Sequence, residues 1–199
     1  MEHKPFCESV RTEIRATYAE VAASVENHFK YPVGKESACQ LGYLHEVLQR
    51  LPSETSRHFC GVGNPFSLGP LRPGESVLDV GCGAGFDSLV AASLVGPNGS
   101  VVGIDLTEAM IHRAQVNLQA VPFSHVRFLL AGGEEIPLPD CSMDVVISNG
   151  AINLSPDKEK VLSEIYRVTR PRGRLMMADM LLEDGVAPET VAALGAWSH

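Results

Sequence analysis

An α/β fold built on a doubly wound, mainly parallel sheet is predicted by three features of this sequence. The first is Val77-Leu78-Asp79-Val80 running into Gly81-Cys82-Gly83-Ala84-Gly85, a strand-like apolar run that ends in glycine at every second position. The second is the helical apolar pattern over 88–95 directly behind that loop. The third is the alternation of strand-like and helix-like stretches that continues to residue 180, which implies parallel strands joined by right-handed crossovers with both sheet faces covered. Glycine belongs where the backbone turns with positive φ or lies directly against a ligand, because a Cβ there would clash. The helix N-terminus behind the loop offers unpaired N–H groups to an anion.

Upstream of the loop the pattern is helical. Val10, Ile14, Tyr18, Val21 and Val25 recur every three or four residues and predict one helix over 9–27. Tyr31-Pro32-Val33-Gly34 breaks it. A second helix is predicted over 37–51, with Leu41, Leu44, Val47, Leu48 and Leu51 on one side and Pro52 as its stop. From there to Pro73-Gly74 the chain is rich in glycine and proline and reads as loop with short helical turns. Downstream, strands are expected over 99–105, Val126–Leu130, 143–148 and 174–180, with helices at Glu108–Gln119, capped by the Thr107 hydroxyl, and 158–169. This divides the chain into an N-terminal helical segment, 1–69, covering the ligand crevice, and a sheet domain, 70–199.

Composition narrows the function classes. No apolar run reaches the roughly 18 residues needed to span a membrane, and Met1-Glu2-His3-Lys4-Pro5 leads into no long apolar segment, so a cytoplasmic protein is expected. A formal charge of −8 disfavours nucleic acid and anionic membranes as partners. Cys7, Cys39, Cys60, Cys82 and Cys141 form no C-x-x-C pair, which argues against a zinc site or a disulfide framework. Cys7, Cys82 and Cys141 are expected to be buried small apolar residues. The histidines show no ligand or base spacing, and most are expected at the surface.

The glycine spacing points to a ligand. A dinucleotide fingerprint needs G-x-G-x-x-G, and Phe86 occupies the third glycine position. The run from Leu78 to Gly85 instead resembles motif I of class I S-adenosylmethionine (SAM) dependent methyltransferases. That resemblance implies SAM as cofactor, held by Gly81, Cys82, Gly83 and Gly85, with Asp79 supporting the loop. Asp105 ends the second strand, near the spacing at which an acid meets a ribose, and Leu106 follows it. Ala131-Gly132-Gly133-Glu134-Glu135 resembles the family's adenine loop, which implies Gly133 and Glu134 at the ring, with Glu135 or solvent as alternatives to Glu134. Ser148 and Asn149, at the carboxyl end of the fourth strand, are expected on the methyl side.

Phe59-Cys60-Gly61-Val62-Gly63-Asn64-Pro65, Tyr18-Ala19-Glu20-Val21-Ala22 and Asn153-Leu154-Ser155-Pro156-Asp157-Lys158 resemble the arsenite methyltransferase branch more specifically. That resemblance implies a small-molecule acceptor bound through thiolates, and here the chain departs from the pattern. Gly150 and Val62 stand at two family cysteine positions and Ala192 at a third, while Cys39 matches one. Arsenite is soft and thiophilic, so Cys39 and Cys60 are the candidate thiols. A different small organic acceptor, or SAM binding without turnover, are the alternatives. The family sheet continues past its fifth strand into a hairpin, which implies that the C-terminus at 199 is truncated.

Overall fold

The computed structural model describes residues 3–25 and 28–181. Five strands form one sheet: β1 (Ser76–Val80), β2 (Ser100–Asp105), β3 (Val126–Leu130), β4 (Met143–Asn149) and β5 (Thr169–Ala178), in the order β3-β2-β1-β4-β5. Every neighbouring pair is parallel. The order reverses beside β1, so the crevice of a doubly wound sheet opens at the carboxyl ends of β1, β2 and β4. Residues 170–173, ahead of the strand expected over 174–180, lie within β5 as an irregularity in its register with β4.

Alternate residues of the strands face opposite layers. Val77, Val101, Val145 and Ile147 pack against Ala91, Ala92 and Val95 of α5 (Phe86–Val95) and Ile111 and Ala114 of α6 (Glu108–Gln119). On the other face Leu78, Val102, Ile104 and Val146 meet Val161, Ile165 and Val168 of α7 (Lys158–Val168). Burial on both faces explains why β1 reads as a continuous apolar run apart from Asp79.

The N-terminal segment departs from the expected helices. The first helix, α1, runs from His3 to Ala23 and stops short of the expected 27. The single helix expected over 37–51 is two, α2 (Gly34–Gln40) and α3 (His45–Arg50). Gly42 sits between them at φ 82°, a left-handed turn that ends α2 and that glycine adopts without steric cost. A short α4 (Ser53–Arg57) and a 3-10 turn at Pro65–Leu68 follow. Ala38, Tyr43, Val47, Leu48 and Phe59 bury against Phe86, Leu89 and Val90 of α5. Phe86 therefore fills the junction between the two parts of the chain.

Three smaller corrections have local causes. Thr107 makes no side-chain cap to α6; its own N–H donates to Asp105 Oδ1 at 2.8 Å. Cys141 is exposed rather than buried, at φ 48° in a turn, and Cys7 is half-buried. His58 is buried rather than at the surface. The expectations for 182–199, Ala192 included, lie outside the described residues. Among those described, no helix is long and apolar enough to cross a membrane.

One ion pair fixes the loop behind β3. Buried Glu164 accepts from Ile136 N at 2.9 Å and from Arg167 Nη2 at 2.7 Å, and Arg167 donates to the Ile136 and Leu138 carbonyls, each at 2.8 Å. These bonds, Arg167's first, hold the Glu164 carboxyl down at about 2. A carboxylate with a lowered folded-state pKa stabilises above its unfolded pKa and loses that contribution as pH falls toward the folded value. Wild-type stability is therefore expected to drop between pH 4.5 and 2. Glu164→Gln should cost about 2 kcal/mol at neutral pH and flatten that acid limb, as measured by urea unfolding across pH.

Candidate functional site

The crevice is an open cleft whose space out to its mouth, open solvent included, is about 830 Å³. Gly81 and Gly83 form part of its wall, with φ of 75° and 51°. The turn is held because Gly81 N and Cys82 N both donate to the Ile104 carbonyl at 2.9 Å. A side chain at Gly83 would meet no atom within 4 Å, so the empty space in front of this backbone is a cradle that a ligand can occupy. Gly85, at φ 85°, serves packing instead, since a Cβ there would lie 2.7 Å from Phe128 Cζ.

Asp105 is the half-buried carboxyl group of the cleft. Its Oδ2 accepts from Gly83 N at 2.9 Å and its Oδ1 from Thr107 N at 2.8 Å. Each carboxylate oxygen retains further acceptor capacity, suited to a pair of hydroxyl donors. Burial raises its pKa and the Thr107 and Gly83 N–H bonds oppose that rise. Leu106 lines the cleft beside it.

On the far side Gly133 and Glu134 reach the same cleft. Glu134 Oε1 accepts from Ser155 Oγ at 2.8 Å and pairs with Arg11 Nη2 at 3.4 Å. Glu135, the alternative acid, is exposed and outside the wall. Arg11, Ile14 and Tyr18 of α1 also line the cleft. Of these, Arg11 was missed by the apolar pattern, although its spacing of three and seven residues from Ile14 and Tyr18 puts it on their helical face.

Of the remaining candidates Asn149 lines the cleft, and Asp79, Cys82 and Ser148 lie outside its wall. Asp79 is buried behind the glycine loop, accepting from Ser88 Oγ at 2.6 Å, and burial with the charge of nearby Asp87 pushes it up to about 8. Cys82 is buried within the loop. Ser148 Oγ donates to the Val80 carbonyl at 2.9 Å, which turns it into the sheet. Asn149 lines the cleft, but its amide is spent on the 61–63 loop, accepting from Val62 N at 2.9 Å and Gly63 N at 3.1 Å.

The two thiols are not brought together on the cleft. Cys60 lines it and Cys39 is exposed on α2, outside the wall. Burial, with Asp105 and Asp87 adding to it, pushes the Cys60 thiol up to about 12. Val62 and Gly150 do meet, since a Cβ at Gly150 would lie 3.4 Å from Val62 Cγ1.

Residues 71–196 match the family model described as a methyltransferase domain. The chain belongs to this family. Among curated members, an arsenite methyltransferase of Halobacterium salinarum is 45% identical over 121 residues, 61% of this chain and 31% of that protein. An arsenite methyltransferase of Aquipseudomonas alcaligenes is 36% identical over 167 residues, 78% of this chain and 48% of that protein. The crystal structure of an arsenic(III) S-adenosylmethionine methyltransferase from Chlamydomonas reinhardtii superposes with a TM-score of 0.58 at 35% identity, covering 83% of this chain and 56% of that one. The chain thus spans 31% and 48% of the length of these two curated relatives. The sheet order and the cleft at its carboxyl edge are those of a class I methyltransferase fold.

Proposed function

We propose that the cleft binds S-adenosylmethionine and that this domain transfers the methyl group to trivalent arsenic or to another small acceptor. The observation that carries the reading is the convergence of Gly83, Asp105 and Glu134, from the carboxyl ends of three separate strands, β1, β2 and β3, on one cleft at the switch point of the sheet. In this reading Gly81 and Gly83 present backbone to the methionine end, with Cys82 and Gly85 completing the turn and Asp79 bracing it from behind. Asp105 accepts from the ribose hydroxyls, Leu106 covers that side, and Gly133 and Glu134 face the adenine. Asn149 shapes the methyl side by holding the 61–63 loop, and Ser148 braces β4. The segment 1–69 acts as a cover over the domain 70–199, since α1 supplies Arg11, Ile14 and Tyr18 to the cleft.

SAM bound there supplies a sulfonium-activated methyl group. The chain's own contribution is to place an acceptor in line with it and to exclude water. Tyr18 and Cys60 stand at the wall for that purpose. At neutral pH the Cys60 thiol is protonated, and it neither needs nor supplies a proton in a transfer to arsenic bound by external thiols. A cytoplasmic location and small-molecule partners, without nucleic acid, go with this reading.

A small organic acceptor is the second reading, favoured by the facing pair Val62 and Gly150, which offers no ligand atom where two thiols would meet. Transfer of labelled methyl from SAM, with and without arsenite in the presence of a thiol reductant, separates the two. Arsenite-dependent product supports arsenic as acceptor. SAM binding without arsenic methylation moves the assignment to an organic acceptor or to a binding protein.

The pair Val62 and Gly150 also gives a gain-of-function prediction. Val62→Cys with Gly150→Cys would set two thiols within reach of one arsenic atom. The double variant is expected to bind arsenite at least about tenfold more tightly than wild type, a gain of roughly 1.4 kcal/mol, read by tryptophan-independent equilibrium dialysis. The left-handed φ of 69° at Gly150 costs about 1–2 kcal/mol of stability in that variant.

A further inference from the structure

We propose that Asp87, acting through Tyr43 and Asn149, is the positioning residue that holds the Cys60–Gly63 wall against the cleft; the inference rests on the methyltransferase reading of that cleft. Asp87 lies in the first turn of α5, two residues after Gly85, and is buried. Its Oδ1 accepts from Tyr43 Oη at 2.6 Å and its Oδ2 from Asn149 Nδ2 at 3.0 Å. Asn149 Nδ2 also donates to Tyr43 Oη at 3.1 Å and to the Gly63 carbonyl at 2.8 Å. The same side chain's oxygen accepts the Val62 and Gly63 N–H groups.

The orientation of the Asn149 amide follows from these partners. Two backbone donors require the oxygen on the loop side, and the carboxylate of Asp87 requires the nitrogen on the other. Removing the carboxylate leaves the Val62 and Gly63 N–H groups on the amide oxygen but takes the charged acceptor from its nitrogen. Val62 and Gly63 belong to no helix or strand; besides Asn149, Tyr43 Oη reaches the Gly63 carbonyl at 3.3 Å, and a Cβ at Gly61 would overlap the Asn149 side chain. Cys60, next in sequence, turns its carbonyl to Tyr31 Oη at 3.0 Å and lines the cleft. A carboxylate at the start of the helix behind the glycine loop thereby sets the wall on the opposite side of the same cleft.

The groups facing Asp87 are Tyr43 from the α2–α3 connection, Asn149 from β4, Asp79 from β1 and the Cys60 thiol. Tyr43→Phe deletes one hydroxyl and keeps the ring in its aromatic cluster with Phe59, Phe66 and Phe86. Asp87→Asn turns one acceptor oxygen into a donor opposed to Tyr43 or Asn149. Both are expected to free the loop.

The test is alkylation of Cys60 by iodoacetamide, followed by peptide mass mapping over pH 7–10, with calorimetric SAM titration of the same samples. Both variants are expected to alkylate Cys60 at least about tenfold faster than wild type at pH 8, as the thiol returns toward its ordinary pKa near 8.5. Lower melting temperatures with an unchanged Cys60 pH profile would overturn the proposal, because a purely stabilising network moves only the first. Faster alkylation in folded variants of a wild type that binds no SAM would keep the positioning role and remove the cofactor reading. Should both variants fail to fold, amide exchange of the wild type decides. Protected Val62 and Gly63 amides support the clamp, and exchange at the rate of an exposed loop overturns it.

Discussion

Asp105→Ala is expected to weaken SAM binding by about two orders of magnitude or more. Two hydrogen bonds from ribose hydroxyls to a carboxylate are each worth roughly 1.5–3 kcal/mol. The same substitution strips the acceptors from Gly83 N and Thr107 N, so the glycine turn loses the side chain that orients it. Asp105→Asn keeps one oxygen and should fall between the two. Calorimetric titration distinguishes them: a wild-type affinity in the alanine variant would place the ribose elsewhere and dissolve the assignment of this strand end.

Gly85→Ala is expected to unfold the domain at a markedly lower temperature. The left-handed φ of 85° costs an L-residue roughly 1–2 kcal/mol. The added methyl would also lie 2.7 Å from Phe128 Cζ and 3.1 Å from Ala114 Cβ, an overpacking that costs about 1–3 kcal/mol more. At 2–4 °C per kcal/mol for a domain of this size, the melting temperature should fall by about 10 °C. Gly42→Ala is the control. Its φ of 82° imposes similar backbone strain, yet a Cβ there meets nothing within 4 Å. Its loss should be no more than about half as large. Equal losses at the two positions would mean that strain, and not the Phe128 contact, governs the loop.

What could be read from the chain beforehand follows the range of the interactions involved. The strand, glycine turn and helix start at 76–95 are local, and turn chemistry plus apolar periodicity suffices for them. Parallel order follows from the alternation of elements. The break at Gly42 was hidden because a lone glycine inside a helical pattern is usually tolerated, and only the φ of 82° shows that it ends α2. Asn149 was legible as a residue at a functional strand end but not as the anchor of the 61–63 loop, because its partners Val62 and Gly63 lie 87 and 86 residues away. Arg11 and Asp87 were overlooked for the same reason. Polar residues inside apolar periodicity acquire their roles from partners that only the folded chain brings near, Glu134 for the one and Tyr43 for the other.

The departure at the family cysteine positions is visible in sequence, but its meaning is spatial. Val62 and Gly150 could each be an isolated loss. Their contact puts the two positions where the resemblance implies thiols side by side, and on the proposed reading neither offers a ligand atom to arsenic.

The measurement that tests the central claim most directly is calorimetric titration of the purified, folded chain with SAM, with S-adenosylhomocysteine as competitor. The account predicts saturable binding at one site per chain, displaced by the competitor and lost with Asp105→Ala. A folded wild-type protein that takes up neither compound would contradict it, because the cleft between Gly83, Asp105 and Glu134 would then hold something else.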